Sequence, residues 1–224
     1  MRRIAEFRDS PLFAEIDGAK LENHLINCSR KVFRKRETVF HPGEHKQFIY
    51  FIARGRLRVY VIHPDGHEFT VTVLEQGDVF SGHTRTFGKA LEECEVVFLP
   101  IQSFRSLVLE MPSLSFRLAA VLGDSLKNTF NIIEKLAFKE VDERLSQFLL
   151  ETAEQRGTQT AEGLTVDLGF NYQEIATLVG CSRQTVSAFF NGLQKQGIIE
   201  MYKKIVVIKD CKALSNKINK TTEN

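Results

Sequence analysis

Between Val32 and about Phe104 glycine interrupts the chain at Gly43, Gly55, Gly66 and Gly77, at spacings of 12, 11 and 11 residues. The stretches between them are β-rich: Phe48-Ile49-Tyr50-Phe51-Ile52, Leu57-Arg58-Val59-Tyr60-Val61-Ile62 and Phe69-Thr70-Val71-Thr72-Val73-Leu74, several alternating apolar with polar. In Pro64-Asp65-Gly66 proline presets φ and glycine accepts a positive φ, so the chain reverses there. Short strands at regular spacing predict a stack of hairpins, a β-sandwich or roll.

After Met111-Pro112 the period becomes helical. Leu114, Leu118, Val121, Leu122, Leu126, Thr129, Ile132, Ile133 and Leu136 recur mostly at three- and four-residue steps, which predicts one helix of about 25 residues. Its apolar stripe exceeds what its own small roll can cover and resembles a coiled-coil seam, so two chains are expected to associate through it. The residues expected at that contact are Leu118, Val121, Leu122, Ser125, Thr129, Ile132, Ile133 and Leu136, while Lys127, Asn131 and Lys135 mark another face. Val141 to Arg156 reads as a second amphipathic helix, with Leu145, Phe148, Leu149 and Ala153 inward and Gly157 as terminator. A polar linker, a short strand at Thr165-Val166-Asp167-Leu168, two helices and a ribbon complete the chain. The ribbon pairs Ile198-Ile199-Glu200-Met201 with Ile205-Val206-Val207-Ile208 across Tyr202-Lys203-Lys204, and the last dozen residues are expected to fray.

The chain of 224 residues, 43% apolar and 26% charged, excludes wholesale disorder and suits one compact domain plus a smaller one. The expected boundaries are a roll at 1–110, a dimerisation helix at 111–138 and a domain of helices and ribbon at 139–224. The fold class is therefore α+β. No apolar run reaches the ~18 to 20 residues of a membrane span, and no hydrophobic signal region follows Met1. A cytoplasmic protein without a membrane partner is expected. Cys28, Cys94, Cys181 and Cys211 form no Cys-x-x-Cys pair, which argues against a disulfide framework and against a closed zinc or iron–sulfur site. A net charge of +2 announces no polyanionic partner by itself, so any such case rests on local motifs. The cations Arg30, Lys31, Arg34, Lys35 and Arg36 read as a solvated face, and His24, His41, His45, His63 and His67 as solvated side chains.

The strongest local motif runs Tyr172-Gln173-Glu174-Ile175-Ala176-Thr177-Leu178-Val179-Gly180-Cys181-Ser182-Arg183-Gln184-Thr185-Val186-Ser187. Ala176 is small where two helices approach, Gly180 supplies a turn and Ser182 can cap the second helix, as a helix-turn-helix requires. Val186 and Leu193 then face the core, which leaves Arg183, Gln184 and Ser187 at the exposed end that enters a major groove. Arginine bonds bidentately to guanine and glutamine to adenine, each pair contributing on the order of 1–3 kcal/mol of discrimination. Thr185 suits phosphate, and Lys203 and Lys204 form a wing turn whose charge meets the sugar-phosphate backbone.

Roll, long helix and winged helix in that order resemble the CRP/FNR superfamily of dimeric transcription regulators over nearly the whole chain. Gly55-Arg56-Leu57-Arg58-Val59-Tyr60 looks like that family's cyclic-nucleotide-binding roll, and Val179-Gly180-Cys181-Ser182-Arg183-Gln184-Thr185-Val186-Ser187 like its recognition helix. The resemblance implies a homodimer on a two-fold symmetric double-stranded operator, contact with RNA polymerase, and transcription activation. Cyclic-AMP-responsive relatives carry a Gly-Glu pair for ribose and an Arg-Ser or Arg-Thr pair for phosphate. Arg85-Thr86 is present here without the glutamate, on a short loop to Cys94. The cysteine cluster of the oxygen-sensing relatives is absent.

Gly77-Asp78-Val79-Phe80-Ser81-Gly82-His83 and Leu122-Gly123-Asp124-Ser125-Leu126 are similar to the CooA-type carbon-monoxide sensors. That resemblance implies haem b as cofactor and carbon monoxide as effector, with His83 as an axial iron ligand. It implies the amine of Met1 as the displaceable ligand opposite, and a pocket of Phe80, Phe87, Leu122, Gly123 and Leu126. Ser81 stands where many of these sensors have a cysteine, so no thiolate-ligated oxidised form is expected. Arg2 follows Met1 where the sensors have a small residue. In this scheme a hinge near Phe138-Lys139 swings the winged helices. A family member with a different small-molecule effector and no haem stays open. The only candidates for an enzyme, Glu92 with Glu93 and His83 with Ser81, lack a third orienting group, so none is expected.

Overall fold

A computed structural model describes residues 6–7, 10–14, 16, 18–43, 47–81 and 85–218. They form two compact units, 1–129 and 130–224.

In the first unit, helix α1 (Gly18–Leu25) precedes eight strands: β1 (Ser29–Phe33), β2 (Thr38–Phe40), β3 (Phe48–Arg54), β4 (Leu57–Ile62), β5 (Glu68–Leu74), β6 (Val79–Ser81), β7 (Phe87–Ala90) and β8 (Cys94–Pro100). Two four-stranded sheets result, ordered β1-β8-β3-β6 and β2-β7-β4-β5, and all their pairings are antiparallel. Phe33, Phe40, Tyr50, Ile52, Leu57, Val59 and Val96 fill the space between them. The four glycines at the hairpin ends all take positive φ, from +80° to +91°. At Gly55 there is a second constraint, since a Cβ would collide with the backbone carbonyl of Glu93. Only glycine meets both demands.

Three features of this unit differ from the sequence expectation. Helix α2 (Ile101–Glu110) follows β8 directly, and with α1 it encloses a second cluster of Phe7, Leu12, Phe13, Leu21, Phe51, Val97, Leu99 and Leu107. Phe7 stacks on Phe51 at 4.1 Å between ring centroids. Arg30 is also not a solvated cation, because its Nη1 donates to Glu6 at 2.8 Å and to Glu95 at 3.2 Å. His24 likewise is largely enclosed and pairs with Glu110 at 3.1 Å, whereas His63 is exposed, as expected, and meets Asp65 at 2.9 Å.

Cys94 lies fully buried on β8, and burial pushes its thiol up to about 11. A raised value keeps the thiol protonated throughout the neutral range, and only the thiolate is nucleophilic. Iodoacetamide at pH 8 is therefore expected to label exposed Cys211 while leaving Cys94 intact in the folded chain. Mass spectrometry showing equal labelling of the two would contradict this.

Helix α3 (Ser113–Phe138) runs 26 residues, of which 113–129 fall in the first unit and 130–138 in the second. The second unit continues with α4 (Val141–Arg156), β9 (Thr158–Thr160), β10 (Gly163–Asp167), α5 (Tyr172–Val179), α6 (Arg183–Lys195), β11 (Ile199–Tyr202), β12 (Ile205–Ile208) and α7 (Cys211–Asn216). Its sheet has the order β11-β12-β10-β9, and Leu145, Leu149, Val166, Ile175, Val186, Phe190, Leu193 and Val206 form its core. The expected fraying of the last dozen residues does not hold for 213–216, and residues 219–224 lie outside the described ones. Asp210 caps α7 by accepting from Ala213 N at 2.9 Å, and Leu214 is buried, which anchors residues 211–216. Among the described residues no helix is long and apolar enough to cross a membrane.

Candidate effector cavity and DNA-reading helix

The first unit holds a cavity of about 450 Å³ walled by β4, β5, β6, the turn before β6, Pro11, Thr86 and α3. This lies within the roughly 300–1,000 Å³ usual for small-molecule and cofactor sites. Val59, Val71, Val73, Leu74, Val79, Phe80 and Val121 supply its apolar wall. Thr72, Asp78, Thr86, Asp124, Ser125, Asn128 and Thr129 supply its polar groups. Two are carboxylates and, among the described residues, none is a cation. Asp78 Oδ2 accepts from Glu75 N at 2.8 Å, while burial pushes its carboxyl above the usual range against that bond.

Of the side chains expected to form this pocket, Phe80 lines it and stacks on Phe40 at 5.6 Å. Phe87 instead stacks on Tyr60 at 5.3 Å and meets His41 edge-on at 5.8 Å. Leu122, Gly123 and Leu126 are exposed and form no part of the wall. The helical period explains the difference. Val121, Ser125 and Asn128 share one face at steps of four and three, and Leu122 and Leu126 lie about 100° round from Val121 and Ser125. Leu118 and Val121, expected at the contact between chains, pack instead against the core of their own roll. The polar stripe Asp124, Ser125, Asn128 was visible in the sequence at those same spacings and is the signal that would have found the wall. A Cβ at Gly123 would meet nothing within 4 Å, so no residue described here makes a close approach to it.

The two expected iron ligands, His83 and the amine of Met1, lie outside the described residues, as do Gly82 and Thr84. In the chain, His83 stands three residues from Phe80 and three from Thr86, and both of these line the cavity. Arg85, the candidate phosphate ligand, is exposed.

In the second unit, α5 starts with a capping box in which Asn171 accepts from Glu174 N at 2.9 Å and Glu174 accepts from Asn171 N at 2.7 Å. It ends at Gly180, whose φ of +74° makes the turn. Ser182 caps α6 by accepting from Thr185 N at 3.1 Å. The Thr185 hydroxyl is engaged with Ser182 Oγ at 2.8 Å, so both side chains shape the helix start. Arg183 and Gln184 are exposed on the first turn and Ser187 is half-buried one turn on. At the β11–β12 turn Lys203 and Lys204 are exposed, and Lys203 adopts φ +60°, a conformation costly for a residue with a Cβ.

Residues 30–110 match the cyclic nucleotide-binding domain family, and residues 143–217 match the Crp-like helix-turn-helix domain family. The cAMP-activated global transcriptional regulator CRP of Pasteurella multocida is 32% identical over 197 residues, spanning 84% of this chain and 93% of its own length. A global nitrogen regulator of Synechocystis is 27% identical over 217 residues, spanning 93% and 96%. Among solved structures, a CooA variant from Carboxydothermus hydrogenoformans is similar with a TM-score of 0.79 and 33% identity over 95% of this chain and 94% of its own. The chain belongs to the CRP/FNR family and is a DNA-binding transcription regulator.

Proposed function

We propose that this chain is a homodimeric transcription activator that binds haem in the roll cavity and responds to carbon monoxide. The observation that carries this reading is the cavity wall, apolar over much of its area, with two carboxylates and no described cation. A cyclic nucleotide brings a phosphate whose charge is disfavoured beside the carboxylates of Asp78 and Asp124, and Arg85, the cation next to Thr86 in the chain, is exposed. The apolar wall of Val59, Val71, Val73, Leu74, Val79, Phe80 and Val121 suits a largely apolar macrocycle, so the residues present fit haem. The similarity to CooA over 95% of the chain supports the same choice.

His83 would hold the iron through a neutral imidazole, and Val79 and Phe80, which line the cavity, would supply apolar contact. Bound haem supplies an iron with a position open to carbon monoxide. Everything that follows belongs to the protein. Helix α3 turns Val121, Asp124, Ser125 and Asn128 to the cavity and Leu122 and Leu126 outward. A change in what presses on the first face therefore biases how the second face pairs with another chain. The bias equals the effector's differential affinity for the two arrangements and no more. Arg183, Gln184 and Ser187 would read base edges, and Ser182, Thr185, Lys203 and Lys204 would serve the helix start and the phosphates. Two such helices meet successive major grooves about one turn apart.

The absorption spectrum of the dithionite-reduced protein, made with ample haem, is expected to show a Soret band that sharpens and shifts on adding carbon monoxide. His83→Ala is expected to lose the shift while keeping salt-sensitive DNA binding. A protein that takes up no haem would instead leave a regulator with another small-molecule effector in the same cavity.

A further inference from the structure

Arg144 lies on the first turn of α4 and reaches two carbonyls on different elements. Nη1 donates to the oxygen of Lys139, just past the end of α3, at 3.3 Å, and Nη2 to the oxygen of Gly180 at 3.2 Å. Gly180 is the residue after α5, in the turn before recognition helix α6. Its carbonyl is one of those a helix end leaves unpaired, and a cation is favoured there. The third nitrogen of the guanidinium, Nε, is buried with no partner among the described residues. A buried donor left unpaired is unfavourable for stability, so the arrangement favours the two-ended contact over the best local satisfaction of the side chain. Arg144 also draws down the Cys181 thiol, which burial otherwise raises, consistent with its place against the turn.

Lys139 is itself held. Its Nζ donates to Gln147 Oε1 at 2.9 Å, Gln147 Nε2 donates to Glu151 Oε1 at 2.6 Å, and Lys135 Nζ meets the same Glu151 carboxylate at 2.8 Å. This chain of side chains fastens the last turns of α3 along α4.

We propose that Arg144 is a positioning residue, a strut that carries the setting of the end of α3 to the turn preceding the recognition helix. It touches neither DNA bases nor effector in this role. The strut is independent of what fills the roll cavity.

The test is a double-mutant cycle read by amide hydrogen exchange on the full chain without effector or DNA. Lys135→Met loosens the far end of the network. It is expected to speed exchange of the Cys181–Thr185 amides by roughly threefold or more, inside the range of coupling usual within one network. In an Arg144→Lys background, where a point donor cannot span both carbonyls, the same substitution is expected to leave those amides within about twofold. Arg144→Gln serves as a second background. The amides of Ile175 and Phe190 must stay slow in every variant. Equal acceleration with and without Arg144, or no response to Lys135→Met, overturns the strut. Loss of slow exchange at Ile175 and Phe190 in both Arg144 variants also overturns it, since the residue would then only hold the domain together.

Discussion

Leu126→Glu is expected to leave the chain monomeric at micromolar concentration and to remove operator binding. Leu122, Leu126, Thr129, Ile133 and Leu136 recur at steps of four, three, four and three, the heptad pattern of a coiled-coil seam. Leu122 is 60% exposed, Leu126 54%, Ile133 55% and Leu136 41% within one chain, so these four side chains stay largely open within one protomer. In a two-fold pairing every substitution appears twice, and two carboxylates would face each other without a partner in an apolar seam. Specific binding exceeds non-specific binding by about 10³-fold or more when both half-sites are held, and a monomer forfeits most of that margin. Sedimentation velocity and fluorescence anisotropy on a selected duplex read both effects. A variant that remains dimeric would show that the seam lies elsewhere. Leu118→Ala is the internal control, because Leu118 packs against its own roll and its loss should lower stability without dissociating the dimer.

Phe190→Ala is expected to cost the second unit about 3–5 kcal/mol, the usual range for emptying a buried phenylalanine site. Phe190 is fully buried, stacked on Tyr172 at 5.4 Å and edge-on to Phe189 at 5.6 Å, at the middle of the cluster that joins α4, α5 and α6. For a unit of this size the melting point should fall on the order of 15 °C. Calorimetry should place that fall in one transition and leave the roll's transition near its original temperature. A uniform small shift of both would contradict the division of the core into separate clusters. The recognition helix would lose its seat together with its core, so DNA binding should disappear well below the melting point of the roll.

The chain's local signals carried much of the architecture. The glycine ladder marked the hairpin ends because those turns require positive φ, a demand one residue type answers alone. The helix-turn-helix was legible because Gly180 and Ser182 act on their own neighbours, within three or four residues. Helix α4 was predicted at Val141 to Arg156, and the structure places it there. The long helix was legible because a sustained period is a property of sequence.

What the sequence left undecided depended on contacts between distant residues. Periodicity showed that α3 had an apolar stripe and a polar one, and Val121, Ser125 and Leu122 were assigned together to one contact. Only the folded roll, by presenting β4, β5 and β6 to one side of the helix, separated Val121 and Ser125 as cavity wall from Leu122 and Leu126 as open surface. Arg30 looked solvated until Glu6 and Glu95, 24 and 65 residues away, were brought to it. Phe87 looked like pocket until its pairing with Tyr60 committed its ring to a stack. Residue type and spacing determine turns, caps and helical period because those act over a few bonds. Which face of an element meets a ligand, a core or another chain is decided by the long-range packing that closes round it.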